Sequence, residues 1–326
     1  MADAYDIVVA GGGLAGLTAG LTAARAGRSV HVLTGGIPGG LLLNIEHIEG
    51  LPSPEEVLAG YDLCPAAQEQ AEAAGARVSM AALEGMSEDS DGWLAQTDEG
   101  ELHGRALILA TGARFRQLEV PGEERLVGHG VSTCASCDAP LLRGRTTVVV
   151  GGGDSALQEA LVLGDAVERV IVLVRDDELC AQAGFQARVA EHPKIEIRHG
   201  VVVEELVGGD TLSAVKVRDT GTGAVEELEA AAIFPFIGLV PNSDAADGRI
   251  ARDGDGRLIT DSALRTALPG VFAAGLVRSG AAGRAAATGG EGATAAVAAE
   301  EYLREAQWPA TQTAATPMLA ADDGGS

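Results

Sequence analysis

The sequence is poor in aromatic residues and in basic charge. Phe, Trp and Tyr make up 3% of its 326 residues, and 23 Lys and Arg stand against 47 Asp and Glu, which leaves a formal net charge of −24. A nucleic-acid partner requires basic clusters that displace counterions from phosphates, so the composition argues against one. Hydrophobic residues still reach 46%, which at this length suffices for about two globular domains.

The chain also lacks long apolar runs and clustered metal ligands. Its apolar runs are short and broken by Gly or charge, and Met1–Asp6 has no basic region followed by an apolar stretch. We therefore predict no membrane span, no secretion signal and a cytoplasmic location. Of the four cysteines, Cys64 and Cys180 stand alone, and no HxxxH or second CxxC exists. Because zinc needs four ligands, no metal site is predicted.

The other two cysteines form the segment Cys134-Ala-Ser-Cys137, followed by Asp138. Two thiols three residues apart can close a disulfide and so take up and release two electrons. In a reducing cytoplasm such a pair is more often catalytic than structural. If either cysteine begins a helix, the helix dipole lowers its pKa and favours the thiolate, and Asp138 could exchange a proton with the adjacent sulfur. The predicted catalytic residues are Cys134, Cys137 and Asp138.

Two glycine motifs flank this pair. The first follows the apolar run Asp6–Ala10 and precedes helical spacing over Leu14–Ala26, with a second apolar run at Val30–Leu33. Strand, turn and helix with GxGxxG form a dinucleotide-binding fingerprint, whose glycines allow the turn and the close approach of a pyrophosphate. Thr34 stands where an acidic residue would bind the ribose. The residues predicted to contact this nucleotide are Gly11, Gly13, Leu14, Ala15, Gly16 and Thr34.

The second motif follows the apolar run Thr147–Val150 and precedes a helical segment over Leu157–Leu163. It has the form GxGxxA, which also serves in dinucleotide-binding units. Val170–Val174 is predicted as the second strand of this unit. The residues predicted to contact a nucleotide here are Gly151, Gly153, Asp154, Ser155 and Ala156.

These patterns together predict an α/β fold with two Rossmann-like dinucleotide-binding domains. Alternation with turn signals predicts small antiparallel β meanders at 78–109 and 201–228. Further helices are predicted over Glu55–Ala74 and Gly292–Arg304. Residues 306–326 show no periodicity and are predicted to be a disordered tail.

The order of these motifs resembles one family, the low-molecular-weight, bacterial-type thioredoxin reductases. The matching segments cover residues 5–304, and a CxxCD between two fingerprints is specific. They are Gly11–Gly16, Gly39-Gly40, Ala110–Gly112, Gly130–Asp138, Gly151–Ala156, Ile237-Gly238, Pro241-Asn242 and Pro269–Gly275. The resemblance implies an FAD domain formed by residues 1–113 and 241–305, with a pyridine-nucleotide domain, 114–240, inserted into it and carrying the cysteine pair.

The resemblance also implies a route for electrons. A hydride passes from NADPH to FAD and then to the disulfide, and thiol exchange delivers the electrons to thioredoxin. Cys137 would face the flavin, Cys134 would attack the substrate disulfide and Asp138 would be the acid, in a homodimer that alternates two domain orientations. The further contacts predicted are Gly39, Gly40, Leu41, Ala110, Thr111, Gly112, Gly275, Leu276, Arg284 and Ala285 for FAD, and Arg175 and Asp176 for the pyridine nucleotide.

The sequence departs from the family at both cofactor sites. Where the family has a basic clasp for the 2′-phosphate of NADPH, this chain has Val174, Arg175, Asp176 and Cys180. A carboxylate repels a phosphate but suits a free ribose hydroxyl, so NADH is an acceptable donor and NADPH is disfavoured. On the flavin side several polar residues are lost, although the fingerprint still favours FAD. The replacements are Leu41, Gly50, Leu276 and Gly283-Arg284.

Three alternatives to a thioredoxin-type reductase follow from these departures. The first is an FAD- and oxygen-dependent dithiol oxidase that closes a disulfide in a small molecule, which the missing basic clasp favours. Asp138 favours a reductase, because relatives of the oxidase type tend to carry His at that position. The second is a ferredoxin-linked reductase, and the third is a non-catalytic binding protein that has lost its flavin. The partner expected is a thioredoxin-like protein or a small-molecule dithiol or disulfide.

Overall fold

The computed structural model describes residues 3–52, 58–305 and 308. Its helices are α1 (Leu14–Arg25), α2 (Gly60–Ala73), α3 (Glu123–Leu126), α4 (Ala135–Asp138), α5 (Asp154–Ala166), α6 (Ala183–Glu191) and α7 (Ala285–Glu305). Its strands are β1 (Asp3–Ala10), β2 (Val30–Leu33), β3 (Arg77–Ser79), β4 (Leu83–Asp89), β5 (Gly92–Thr97), β6 (Gly100–Leu109), β7 (Ala113–Phe115), β8 (Thr146–Val150), β9 (Arg169–Val174), β10 (Ile195–His199), β11 (Val201–Gly208), β12 (Leu212–Asp219), β13 (Val225–Glu229), β14 (Ala232–Pro235), β15 (Leu239–Pro241) and β16 (Val271–Ala273).

The first sheet has the strand order β3-β2-β1-β6-β5-β4, and β16 also pairs with β6. Strands β1, β2, β3, β6 and β16 run parallel, and β4, β5 and β6 form an antiparallel meander. The predicted meander is therefore present as the edge of the main sheet, but its first residues pair parallel with β2 instead. Glycine-rich helices α1 and α7 pack together on one face of the sheet, where the core is built largely of Ala and Val.

The second unit contains a parallel sheet with the order β10-β9-β8-β14. Its central strands are Val-rich and buried, as expected for parallel strands covered on both faces. Strands β11, β12 and β13 form a separate antiparallel sheet, which confirms the predicted second meander. The α/β fold with two Rossmann-like units is confirmed.

The chain passes between the two units along one short ribbon. Strand β7 pairs antiparallel with β15, with Ala113 opposite Pro241 and Phe115 opposite Leu239. The segment between these strands contains the whole second parallel sheet. An inserted unit is thus joined to the first through two adjacent strands, and the exact domain boundaries, 113/114 and 240/241, stay a prediction.

Helix α5 extends three residues beyond the predicted Leu157–Leu163 at each end. Helices α2 and α7 begin away from their predicted starts, and both starts involve glycine. Helix α7 begins at Ala285 rather than at the predicted Gly292. A Cβ at Gly292 would lie 2.1 Å from the carbonyl oxygen of Ala15, so this glycine lets α7 pack closely against α1. Helix α2 begins at Gly60, where a Cβ would lie 1.7 Å from the carbonyl oxygen of Leu42. The predicted start of that helix, at 55–57, falls outside the described residues.

Most of the predicted disordered tail, 306–326, also lies outside the described residues. Trp308 is described, and its ring lies 5.3 Å from the rings of both Phe272 and Tyr302. The sequence around Trp308 offers no aromatic companion, because these partners come from β16 and α7. In the described part of the chain no helix is both long and apolar enough to cross a membrane. The same residues form no group of three or more His, Cys, Asp or Glu suited to a metal ion.

Candidate active site

The first glycine motif forms the turn between β1 and α1, at the carboxyl edge of the main sheet. Gly11 has a φ of 122°, and a Cβ there would lie 2.0 Å from the carbonyl oxygen of Ala110. A Cβ at Gly16 would lie 1.8 Å from the carbonyl oxygen of Gly11, so glycine lets the helix approach the turn. At Gly13, by contrast, a Cβ would meet no protein atom within 4 Å. That open side of the turn is where a pyrophosphate would approach.

The amino end of α1 is ready for an anion. Gly13 is the residue before the helix and provides no side-chain cap, so the first N–H groups, at Leu14 and Ala15, remain available. The loop Gly39-Gly40 closes over this end, and Gly39 N donates to the carbonyl oxygen of Gly12 at 2.7 Å. The predicted contacts Leu14, Ala15, Gly39 and Gly40 thus surround one cradle, and Leu41 continues from it into a short 3₁₀ turn.

A groove of about 280 Å³ continues from Gly11 along the ends of β1 and β2, lined in part by Thr34, Thr111 and Asp244. The Thr34 hydroxyl donates to the carbonyl oxygen of Gly36 at 2.6 Å. With its proton used inside the protein, Thr34 can only accept a hydrogen bond from a ribose. The glycine cradle, the uncapped helix and this groove fit the pyrophosphate and adenosine of FAD.

The far end of this site is built by polar groups that the sequence patterns did not indicate. Asn242 exchanges two hydrogen bonds with Thr111, of 2.5 and 3.0 Å, and so ties the predicted Ala110-Thr111-Gly112 turn to the chain after β15. Glu291 on α7 accepts from Gly275 N at 2.7 Å. The family has a carboxylate where this chain has Leu276. Glu291 places a carboxylate next to that position, but it is bonded to the backbone N–H of Gly275.

Arg284 does not lie free beside the flavin site. Its guanidinium forms an ion pair with Asp154 of the second unit, at the start of α5. Asp154 also accepts two hydrogen bonds of 2.7 Å from Gln182. Arg284 and Asp154, predicted as contacts of two different nucleotides, are thus brought together with each other, next to the first helical residue Ala285.

The second glycine motif has the same construction as the first. Gly151 has a φ of 133°, and a Cβ there would lie 2.2 Å from the carbonyl oxygen of Phe236. Gly153 precedes α5 without a side-chain cap, and Ser155 and the buried Ala156 lie in the first turn of the helix. A second nucleotide cradle is therefore present, opening beside Cys180, whose Sγ is the nearest protein atom to a Cβ built at Gly153, at 3.7 Å.

The predicted ribose-binding residues Arg175 and Asp176 follow β9 and pair with each other at 3.3 Å. Both side chains are exposed, at 77% and 69%. An arginine held by its neighbouring carboxylate has little net attraction for a phosphate. This geometry agrees with the sequence-based expectation that the basic clasp of the family is absent.

The cysteine pair lies on the second unit as a disulfide between Cys134 and Cys137. Cys134 is the residue before α4 and is 8% exposed, whereas Cys137 is exposed on the first turn, beside half-buried Asp138. Cys134 therefore meets the condition under which a helix start favours the thiolate. The exposures are the reverse of the roles implied by resemblance, in which Cys134 meets the substrate.

The disulfide turn faces the flavin loop of the first unit. Asn44, at the end of the 3₁₀ turn that contains Leu41, donates to the carbonyl oxygen of Thr133 at 3.4 Å. Gln158 of α5 donates to the carbonyl oxygen of His47 at 2.6 Å. The redox pair, the second fingerprint helix and the flavin cradle therefore meet at one interface between the two units.

The sequence patterns did not single out Glu159, a charged residue at this interface. Glu159 on α5 is 3% exposed, and its Oε2 accepts from Ala135 N, inside the CxxC turn, at 3.2 Å. Burial, with a smaller contribution from the charge of Glu46, raises its pKa to about 7, while the bond from Ala135 N acts in the opposite direction. The available signal was a carboxylate on an otherwise apolar helix face, between buried Ala156 and Leu163.

Comparison with known proteins agrees with this geometry. The family model of the pyridine nucleotide-disulphide oxidoreductases matches residues 5–301. Thioredoxin reductase of Treponema pallidum is 34% identical over 299 residues, which cover 92% of this chain and 97% of that protein. The crystal structure of Lactococcus lactis thioredoxin reductase in its FR conformation has a TM-score of 0.88 at 36% identity, and covers 92% of this chain and 99% of that one.

A second solved structure is similar in sequence but has a lower TM-score. Thioredoxin reductase of Streptococcus pyogenes is 34% identical, with 93% of this chain and 99% of that chain covered, but its TM-score is 0.63. Nearly equal identity and coverage with a much lower score is what a different placement of two rigid units produces.

Two glycine cradles with a disulfide between them define a dinucleotide-dependent disulfide oxidoreductase, and the chain belongs to the pyridine nucleotide-disulphide oxidoreductase family. Within that family it is a flavoprotein that uses FAD and resembles the low-molecular-weight bacterial thioredoxin reductases over 92% of its length.

Proposed function

We propose that this protein reduces the disulfide of a thioredoxin-like protein with electrons from NADH, through FAD and the Cys134–Cys137 pair. The exposed position of Cys137, in a disulfide that lies between two nucleotide cradles, is the observation that carries the proposal. FAD, when bound along the first cradle, supplies a carrier of two electrons between the nicotinamide and the disulfide. The residues that would hold it are Gly11, Gly13, Gly16, Gly39, Gly40 and Thr111.

The thiol chemistry follows from the exposures. In the reduced pair, the Cys137 thiolate attacks one sulfur of the external disulfide and forms a mixed disulfide, while the other external sulfur leaves as a thiolate. The Cys134 thiolate then attacks Cys137 Sγ and releases the second external sulfur. The protein disulfide is restored, and both electrons have left with the substrate. Asp138, beside Cys137, can supply a proton to a leaving thiolate.

A direct assay tests the proposal. We expect the purified holoprotein to generate free thiols from a thioredoxin when NADH is supplied, and the rate to vanish in Cys137→Ser. Ser90→Ala is the control, because Ser90 is exposed in the turn between β4 and β5 and lies outside both cradles, and it should retain the rate. Consumption of oxygen with a small dithiol, without thiol release from thioredoxin, would instead establish the dithiol oxidase.

The choice of NADH as the donor depends on two residues after β9. Family membership alone favours NADPH, and the case for NADH rests on the pairing of Arg175 with Asp176. Two missing charge-assisted hydrogen bonds to the 2′-phosphate would weaken NADPH by about a hundredfold or more. Each carboxylate oxygen of Asp176 has a further lone pair beside its contact with Arg175, so it can also accept from the ribose hydroxyl of NADH.

Stopped-flow reduction with each nucleotide decides the donor. We expect NADH to reduce the flavin at lower concentration than NADPH, and Asp176→Arg to improve NADPH and impair NADH. Fast reduction of the wild-type protein by micromolar NADPH would contradict the assignment. If neither nucleotide reduces the flavin, a ferredoxin-linked or oxygen-linked enzyme is supported.

The proposal also includes a homodimer whose protomers each have the domains 1–113 with 241–305 and 114–240. Support comes from the resemblance and from the β7–β15 ribbon that joins the two units. Sedimentation at micromolar concentration should give twice the chain mass of 33.0 kDa. A single species at the chain mass would reject the dimer without affecting the redox chemistry.

A further inference from the structure

Helix α5 connects the second nucleotide cradle to the redox pair through one buried side chain. Its first turn forms the cradle, and Glu159 follows on the face directed at the CxxC turn. The Glu159 carboxylate accepts from Ala135 N at 3.2 Å, and Ala135 is fully buried. A buried carboxyl group is costly without such a partner, so the contact fixes both groups.

The contacts of this peptide determine which sulfur is covered. The bonded N–H belongs to the residue directly after Cys134, so buried Glu159 anchors the turn next to the buried sulfur. Cys134 N donates to the Ser132 hydroxyl at 3.1 Å, and Cys137 N donates to Cys134 Sγ at 3.3 Å. Cys134 is thus enclosed by three neighbours, and Cys137 is left at the surface.

The charge on Glu159 acts on the same site. Cationic groups on the elements that pack against α5 are occupied elsewhere: Arg188 with Glu49, Arg169 with Glu196, and Arg198 with Glu196 and Glu226. Of the acids that face this region, Glu46 raises the pKa of Glu159. The other titratable groups on these elements, or directly after them, are Asp138, Asp154, Asp165, Glu191, His192 and His199.

We propose that Glu159 is a positioning residue for the redox pair: its bond to Ala135 keeps Cys134 covered, and its negative charge opposes the stabilisation that the amino end of α4 and Cys137 N give a thiolate at Cys134, so that Cys137 is the sulfur that meets an external disulfide. A carboxylate close to a thiol raises the pKa of that thiol, and it does so more strongly where water is excluded. The role concerns the order of the two sulfurs and does not depend on the donor nucleotide.

Two substitutions of Glu159 separate the effect of its hydrogen bond to Ala135 N from the effect of its negative charge. Glu159→Gln keeps an oxygen that can accept from Ala135 N but removes the charge. Glu159→Leu removes both at similar volume. Glu191→Gln, an exposed change on α6, is the matched control. Each holoprotein is reduced with dithiothreitol, desalted anaerobically and pulse-labelled with iodoacetamide between pH 6 and pH 9, and the labelling of Cys134 and Cys137 is quantified by peptide mass spectrometry.

In the wild-type protein and the control we expect Cys137 to be labelled about tenfold or more faster than Cys134 at pH 8. The ratio should rise between pH 6 and pH 8, because Glu159 ionises near pH 7 and then opposes a second negative charge at Cys134. Glu159→Gln should keep a preference for Cys137 but show a flat ratio over this range. Glu159→Leu should label both sulfurs at similar rates while keeping its flavin and its near-ultraviolet circular dichroism.

An unchanged labelling ratio in a folded Glu159→Leu protein would overturn the positioning role. If that variant fails to fold, Glu159→Gln decides alone, and a ratio that rises with pH as in the wild type would reject the proposal. Loss of the rise in Glu159→Gln supports it even if the thioredoxin assay fails, because the labelling requires neither donor nor substrate.

Discussion

Single residues at the CxxC turn set the order of the thiol reactions. Cys137 is exposed and Cys134 is 8% exposed in the arrangement of the two units described above. Exchange with an external disulfide depends on access to the attacking sulfur, so these exposures support the proposed attack by Cys137. The roles implied by resemblance assign this attack to Cys134 instead, so the two assignments make opposite predictions.

Trapping distinguishes them. In a Cys180→Ser background, Cys134→Ser should accumulate a stable mixed disulfide through Cys137 with a thioredoxin that keeps one active-site cysteine, activated as its disulfide with 2-nitro-5-thiobenzoate, since no thiolate of either protein then remains to release the adduct. Cys137→Ser should accumulate much less of that adduct. Non-reducing mass spectrometry reads both results, and a dominant adduct through Cys134 would restore the roles implied by resemblance.

Two glycines of the first fingerprint have different physical requirements. A side chain at Gly13 meets no protein atom within 4 Å, whereas one at Gly16 lies 1.8 Å from the backbone of Gly11. We expect Gly13→Val to fold with normal circular dichroism and to lose FAD, because the side chain fills the space of the pyrophosphate. Gly16→Val should instead lower the thermal midpoint by several degrees.

Flavin absorbance after desalting, together with thermal unfolding of the apoprotein, measures both effects. A yellow Gly13→Val protein with an unchanged dissociation constant for FAD would contradict the placement of the pyrophosphate at this turn.

At the scale of elements, strand β2 contains a buried histidine that makes the free energy of unfolding depend on pH. His31 is 3% exposed, its Nε2 bonds to the Ser79 hydroxyl at 2.8 Å, and its Nδ1 has no partner among the described residues. Burial, aided by the charge of Arg77, lowers its pKa to about 4. A base with a lowered pKa stays neutral in the folded chain while the unfolded chain takes up the proton below about pH 6.5.

Stability should therefore be complete above pH 6.5 and fall as the pH drops towards 4. Between pH 7 and pH 5 the loss should be about 2 kcal/mol. In His31→Asn that part of the pH dependence should disappear, whatever the absolute stability, and exposed His129→Asn is the control. Urea unfolding at both pH values measures the difference, and equal slopes in the wild type and His31→Asn would show that His31 titrates normally.

The sequence predicted elements well where local pattern and function coincide. Both fingerprints, the parallel strands and the two meanders follow from period and turn chemistry. It missed the start of α7, because Gly289, Gly290 and Gly292 weaken the local helix propensity there, and the contact with Ala15 that requires glycine at 292 is not visible in the sequence. Arg284 and Glu159 could not be placed either, since their partners are 130 and 24 residues away.

At the scale of the whole molecule, a few polar contacts hold the two units in this orientation. Arg188 bonds to Glu49 at 2.7 Å with both side chains about half exposed, and Arg284 pairs with Asp154. Exposed ion pairs contribute about 0–1 kcal/mol each. Together with the hydrogen bonds of Asn44 and Gln158, these pairs are the polar contacts that the orientation around the β7–β15 ribbon depends on, and we expect the exposed pairs to bias it.

The Arg188–Glu49 pair gives a test of this orientation by charge exchange. Arg188→Glu places two carboxylates opposite each other, so it should shift the population towards other orientations. Glu49→Arg combined with Arg188→Glu restores attraction with reversed polarity and should return the wild-type distribution. Small-angle scattering at low salt measures the distance distribution of each holoprotein, and 0.5 M salt should reduce the difference, because screening weakens exposed charges. Identical curves for the wild type and Arg188→Glu would mean that the packed contacts, such as those of Asn44 and Gln158, fix the orientation without help from charge.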